Sequence, residues 1–298
     1  MSFSANVKNE IAASLLNEIE NRNLLLGYLY VNGNISSKKV SLMIENMAVA
    51  RKIFKTLKYS YKMNVQMTIR LQKKFKVKRI FIFEVNDEKN ILQSELENLD
   101  FSDIESMQSF IKGVFLATGS ISDPKKSGYH MEMLFDEIEQ ANLIIDILAK
   151  LNYNFKMLKR EKAYMLYLKS GEEISDFLKM LGAVNSLFYY EDIRIYRDHK
   201  NMVNRLNNCE QANLEKSLNT SNKQLEIINY LKDNDYYSLL DEKTIQVCEY
   251  RLKYPEESYQ TLADILTTET DKKVSKSYIN HHFRKINEVY DRIINLRD

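Results

Sequence analysis

Two nine-residue stretches, LLGYLYVNG at 25–33 and IKGVFLATG at 111–119, constrain what this chain can fold into more than any other feature. In each, a glycine opens a run of apolar residues and a second glycine closes it six positions later. The chain has only seven glycines, so four of them fall in two matching frames. Glycine inside a helix is about 1 kcal/mol less favourable than alanine and needs a packing reason to be there. The reason that fits is two helices touching backbone to backbone through Gly27 and Gly113. Gly33 and Gly119 then stand where a left-handed C-terminal cap is expected.

The same pattern follows each frame. After the first, ISSKKVSLMIE (35–45) alternates like a hairpin strand and MAVARKIFKTLKYSYKM (47–63) has helical spacing. VQMTIRLQ (65–72) and VKRIFIFEV (77–85) then form a second hairpin through KKFK. After the second frame come a hairpin in SISDPKKSGYHMEMLF (120–135), turning at Asp123 and Pro124, and an amphipathic helix in EIEQANLIIDILAKLNY (137–153). Strands in NFKMLKRE and AYMLYLKS and a helix in EEISDFLKMLGA complete the series. An order of helix, two strands, helix, two strands, used twice, predicts an α+β domain over 1–198 with pseudo-two-fold symmetry. Its repeats cover about 1–100 and 101–198.

From residue 221 onward the strand patterns stop. SNKQLEIINYLKDN, DEKTIQVCEYRLKY ended by Pro255, SYQTLADIL capped by Ser258, and a long helix starting near Ser275 predict an all-helical domain over 221–298. A polar turn, TTETDKK, precedes the last helix, an order that suits a helix-turn-helix although the turn is long. At 100° per residue, Ile279, Phe283, Ile286, Tyr290 and Ile293 form one apolar stripe, with Ser277, His281, Arg284 and Lys285 opposite and Tyr278 and Asn280 flanking. From Lys272 to Asn287 the chain carries five Lys or Arg and no acid. A recognition helix needs such a face, because Arg takes guanine bidentately while Lys and Ser hold phosphates. The DNA-contacting set read from this helix is Ser275, Lys276, Ser277, Tyr278, Asn280, His281, His282, Arg284 and Lys285.

The net charge of +2 hides a second basic segment. No acid lies between Glu45 and Glu84, while eleven Lys or Arg do. A polyanion is the expected partner of such a field, with Arg70, Lys73, Lys74 and Lys76 as auxiliary phosphate contacts; a solvated helix face with a lysine-protected sheet edge is the other reading. Between the domains, 199–220 reads as a linker helix with Asn204, Asn207, Asn208 and Asn213 along it. It either couples the two DNA-facing surfaces, with Arg205 near the nucleic acid, or docks the domains through amides that satisfy buried backbone groups. Cys209 and Cys248 match no paired spacing and read as buried free thiols, and His281 and His282 point about 100° apart, which disfavours a zinc pair. No run of eighteen apolar residues and no signal-peptide order is present, so a cytoplasmic, nucleoid-associated protein with no membrane, metal or cofactor is expected.

The glycine frames and their hairpin context resemble the LAGLIDADG homing endonucleases, in which two such helices form the pseudo-symmetry axis beneath a saddle of strands. Catalysis in that family depends on an acid just before each closing glycine, where two carboxylates share divalent metals. Asn32 and Thr118 occupy those positions, and neither supplies the charge. Over nearly the whole chain, FLATGSISDP, EISDFLKMLGA, VNRLNNCEQANLEK and VSKSYINHHFRKI resemble the bacterial WhiA family. That resemblance implies a catalytically degenerate LAGLIDADG-like domain joined to a helix-turn-helix. It further implies a non-enzymatic DNA-binding regulator of cell division and chromosome segregation that acts on transcription, with double-stranded DNA and a protein of transcription or division as partners. Tyr278 and His282 stand where that family leads one to expect a small residue and an arginine. The alternative is a ligand-gated, nucleotide-sensing repressor using the N-terminal pocket, although no glycine-rich phosphate loop is present.

Overall fold

The structure, a computed structural model, describes residues 2–36, 38–72, 78–126 and 128–296. The chain divides into two compact units, Met1–Asp198 and His199–Asp298.

In the first unit the repeat is visible element by element. Helix α1 (Phe3–Ala13) precedes it. The first copy comprises α2 (Glu18–Asn32), β1 (Asn34–Ser36), β2 (Lys39–Ile44), α3 (Met47–Lys55), β3 (Val65–Gln72), β4 (Lys78–Asn86) and α4 (Ile91–Glu97). A π-helical turn, Thr56–Ser60, extends α3. The second comprises α5 (Ile104–Thr118), β5 (Gly119–Ile121), β6 (Met131–Phe135), α6 (Ile138–Lys150), β7 (Lys156–Lys159), β8 (Tyr164–Leu168) and α7 (Gly171–Leu181). The two sheets share one topology, β1-β2-β4-β3 and β5-β6-β8-β7, antiparallel throughout. Alternation fixes which face is inside: Val40, Leu42 and Ile44 of β2 are buried, and so are Met131, Met133 and Phe135 of β6.

The central helices start from strong caps. Asn17 and Glu20 close a capping box on α2, and Asp103 accepts from the Ser106 amide on α5. Their contact is as close as the glycines suggest. A Cβ placed on Gly27 would stand 2.0 Å from the Phe110 carbonyl oxygen, and one on Gly113 2.0 Å from that of Leu24. The closing glycines behave differently from the expectation. Gly33 and Gly119 have φ of −85° and −72°, so they are not left-handed caps; the backbone leaves each helix directly into a strand. What they provide is room, since a Cβ on Gly33 would meet Leu29 O at 2.5 Å and one on Gly119 the Phe115 ring at 2.1 Å. The left-handed glycine cap is found at Gly182, φ 78°, ending α7.

Helix α8 (Val184–Asp233) begins in the first unit and ends in the second. The second unit adds a 3₁₀ turn (Tyr236–Leu239), α9 (Glu242–Lys253), α10 (Tyr259–Thr270) and α11 (Lys276–Asn295). Ile228, Leu231, Val247, Cys248, Ala263, Leu266, Ile279, Phe283 and Ile286 form its core. The segment read as a polar turn is mostly helix. Thr267, Thr268 and Thr270 donate their hydroxyls to the carbonyls four residues back and carry α10 to Thr270. The turn is therefore short, with Asp271 in the left-handed region and the Val274 amide donating to Thr267 Oγ1 at 2.9 Å.

Arg251, 2% exposed, braces the entry to α10. It donates to the carbonyls of Glu257 and Pro255 and lies over the rings of Tyr259 and Phe283. Cys248 is buried as expected, but Cys209 is exposed, on a stretch of α8 whose residues are all exposed. Asn204, Asn207, Asn208 and Asn213 are exposed there too, so they do not serve buried backbone groups.

Candidate nucleic-acid interface

Helix α11 is set by its own N-terminus and by α9. Ser275 caps it, its Oγ accepting from the Tyr278 amide at 3.2 Å. Ile279, Phe283 and Ile286 seat it in the core, and Ile293 holds its far end. What remains outside is Ser275, Lys276, Ser277, Asn280, His281 and Arg284, all exposed, with Tyr278 and Lys285 partly exposed. These side chains offer guanidinium, ammonium, amide, imidazole and hydroxyl donors along one face, the donor set that base edges and phosphates accept. Lys285 is also engaged with the protein, its Nζ 3.2 Å from Asp241 Oδ2 at the start of α9. Asp241 accepts from the Thr244 amide as well, and these bonds hold its carboxyl well below the usual range.

His282 does not belong to the exposed face. It is 4% exposed, and its Nδ1 lies 2.8 Å from the hydroxyl of Thr244, which is itself buried. Burial lowers the imidazole's pKa, with Asp241 opposing. The angular arithmetic that defined the apolar stripe also finds this. His282 lies about 60° from Ile279 and about 40° from Ile286, on the edge of the stripe.

In the first unit, Arg70 sits on β3, an edge strand whose residues from Gln66 to Gln72 are all exposed, and it pairs across the ladder with Ile80. Lys73, Lys74 and Lys76 lie outside the described residues. Arg51, Lys55, Lys58 and Lys62 are exposed. Lys52 differs, because its Nζ donates to the Ser14 carbonyl at 2.9 Å and burial lowers its pKa. It ties α3 to the end of α1 and is not a free cation of the stripe. A groove on the outer face of the first sheet, among Asn34, Ser36, Lys39, Ser41, Gln66 and Glu84, is lined by one cation and one acid. Arg205 is exposed on α8.

At the ends of the central helices, Asn32 and Thr118 are integrated into the backbone around them. Asn32 Nδ2 donates to the Tyr28 hydroxyl at 3.0 Å and to the Met43 carbonyl at 3.1 Å. Burial pushes the Tyr28 phenol up to about 12, against the bond from Asn32. Thr118 Oγ1 donates to Val114 O at 3.2 Å. Among the described residues no group of three or more His, Cys, Asp or Glu is placed to hold a metal ion.

A two-repeat α+β unit with glycine-packed central helices, followed by a helical unit ending in a helix-turn-helix, defines a class: LAGLIDADG-like proteins with an appended HTH domain. Three family models agree with it. The WhiA N-terminal LAGLIDADG-like domain matches residues 18–99, the WhiA LAGLIDADG-like domain 107–200, and the WhiA C-terminal HTH domain 203–290. The chain is 32% identical to the probable cell division protein WhiA of Enterococcus faecalis, covering 98% of each chain. It is 33% identical to that of Bacillus cytotoxicus, over 98% of this chain and 97% of the relative. Among solved structures, it is similar to full-length DUF199/WhiA from Thermatoga maritima, with a TM-score of 0.61, 25% identity, and coverage of 98% and 99%. It is also similar to an N-terminal LAGLIDADG domain of DUF199/WhiA, with a TM-score of 0.52 and 26% identity over 61% of this chain and 92% of that one. The chain belongs to the WhiA family.

Proposed function

We propose that this chain is a DNA-binding regulator of cell division and chromosome segregation, acting on transcription, and that its LAGLIDADG-like unit binds without cutting. The observation that carries the reading is the exposed face of α11, where Lys276, Ser277, Asn280, His281 and Arg284 follow a short turn in a helix-turn-helix. Arg284 reads base edges, and Lys276 and the Ser275–Ser277 turn hold phosphate. The relatives, probable cell division proteins, support the link to cell division. Asn32 and Thr118 support the absence of cleavage, because neither can bring an anionic oxygen to a metal and both hydrogen-bond within the fold. Arg70, with Arg51 and Lys55 of α3, adds phosphate contacts from the first unit.

The test is selection of bound fragments from a genomic library by the purified full chain, followed by anisotropy titrations on the selected site and on random duplex. Arg284→Ala should lower affinity for the selected site and flatten the difference between the two. Selection that returns no common site, with equal affinity for all duplexes, would overturn sequence-specific regulation.

A further inference from the structure

Residues 199–216 of α8 are exposed on every side, yet they are amphipathic. Met202, Val203, Leu206 and Cys209 share one face, while Asn201, Asn204, Asn207, Asn208 and Gln211 lie opposite. Met202, Val203 and Leu206 are 63%, 43% and 51% exposed, a row of large apolar side chains left in water. We propose that a second copy of this chain covers the row, the two α8 helices pairing parallel and in register as a short coiled coil.

The heptad arithmetic selects that occupant. With His199, Leu206 and Asn213 at a, the d positions are Met202, Cys209 and Lys216. Asn213 is then a single asparagine at an a position, the device that fixes register between parallel helices. Arg205 falls at g and Glu210 at e, and both are exposed. In a parallel, in-register pair each g residue faces the e residue five positions further along the other helix, so Arg205 meets Glu210 of the other copy twice by symmetry. An antiparallel pair sets g against g and e against e, which separates Arg205 from Glu210. The stretch thus carries both halves of its own charge complement, as an isologous contact requires. The helix is also formed in advance, because Ile228 and Leu231 anchor its later turns in the second unit's core. Little ordering is left for association to oppose. Arg205 therefore faces a partner helix and not nucleic acid. His199 and Lys216 bound the seam, which makes the contact short and reversible.

Cys209 makes the geometry measurable, since a d position in a parallel, in-register pair places the two thiols across the seam from each other. The full chain should sediment as a concentration-dependent monomer–dimer mixture. Copper-phenanthroline, taking two electrons and two protons from a thiol pair, should trap a dimer that maps to Cys209–Cys209, not to the buried Cys248. Leu206→Glu should abolish both signals while leaving far-UV dichroism and the unfolding midpoint unchanged. Arg205→Glu and Glu210→Arg should each weaken the dimer several-fold, and the double reversal should recover it. A chain that stays monomeric at all concentrations, with Cys209 either freely alkylated or protected, overturns the proposal. So does a dimer that survives Leu206→Glu, one that cannot be trapped through Cys209, or single charge reversals that weaken it without recovery in the double variant.

Discussion

Replacing Gly113 by alanine tests the central claim about the first unit with the smallest change available. The new Cβ would stand 2.0 Å from the Leu24 carbonyl oxygen and 2.8 Å from the Tyr28 amide nitrogen. Both are backbone atoms of α2, so no side chain can swing away to make room. The helices must part by about 1 Å or more to reach ordinary contact, and a close-packed interior transmits that shift. Leu24, Leu25 and Tyr28 on one side and Phe110, Ile111 and Val114 on the other, all buried, lose contact together. Overpacking of this kind costs about 1–3 kcal/mol, occasionally more. Against it stands the better helix propensity of alanine, about 1 kcal/mol. The clash is with rigid backbone and falls at the upper end of that range, so Gly113→Ala should lose a net of about 2 kcal/mol, roughly 4–8 °C in the midpoint of a unit this size.

Gly27→Ala should behave alike, since its Cβ meets the Phe110 carbonyl oxygen at the same 2.0 Å. Once one alanine has forced the helices apart the second finds more room, so the double variant should lose less than the sum of the singles. Gly128→Ala is the control, because a Cβ there meets nothing within 4 Å, and it should stay within about 0.5 kcal/mol of the natural chain. Urea denaturation of the full chain, followed by far-UV dichroism, reads all four. A Gly113→Ala variant as stable as the natural chain, or a double variant whose losses simply add, would refute the reasoning.

Arg284→Ala should cost about 1–3 kcal/mol on the selected DNA site and relax its sequence preference, whereas Arg70→Ala should weaken specific and random duplex alike and lower the salt slope by about one; the reverse pattern in anisotropy titrations would misassign the recognition helix. Asn32→Asp removes the donors to Tyr28 and Met43 and should destabilise the first unit by about 1–3 kcal/mol in thermal unfolding, where an unchanged midpoint would show those bonds to be idle. The natural chain with magnesium or manganese should leave supercoiled DNA intact on gels, and cutting that tracks Asn32 or Thr118 substitution would reinstate catalysis. Buried His282 has its pKa lowered from 6.5, so its contribution to stability is present above that value and lost as pH falls through the folded pKa; His282→Asn should flatten the fall in urea midpoint below pH 6.5, and an unaltered slope would assign it to other groups.

What could be read from the sequence depended on whether its cause was local. The amphipathic helices and alternating strands of both repeats were legible because each buries a periodic face. Gly27 and Gly113 were legible because an apolar helix has no other use for a central glycine. Gly33 and Gly119 were misread by applying a local cap rule where the constraint is tertiary, the approach of Leu29 and Phe115. Helix α4 escaped notice because its cap is remote. Asp87 accepts the amides of Ile91 and Leu92, both at 2.8 Å, from four and five residues upstream. Helix α1 was within reach, since Phe3, Val7 and Ile11 repeat every four residues behind the cap of Ser2, but polar neighbours dilute the pattern. On α11, the exposure of Arg284 and His281 followed from angle alone. Lys285 also needed knowledge of Asp241, a contact across 44 residues that no window along the chain can show.

The two frames separate demands that are easily confused when a motif is read as one word. Close approach of the central helices rests on Gly27 and Gly113, whose missing Cβ atoms admit carbonyl oxygens. Metal binding would rest on the residues before Gly33 and Gly119, where a carboxylate has nothing to do with that approach. Asn32 shows what the second position does in this fold. Its amide donates twice, to a phenol raised by burial and to the Met43 carbonyl; an unprotonated aspartate could accept from the phenol but could not donate to the carbonyl. The Met43 carbonyl is therefore served by a donor at position 32, a local demand separate from the close approach at Gly27 and Gly113.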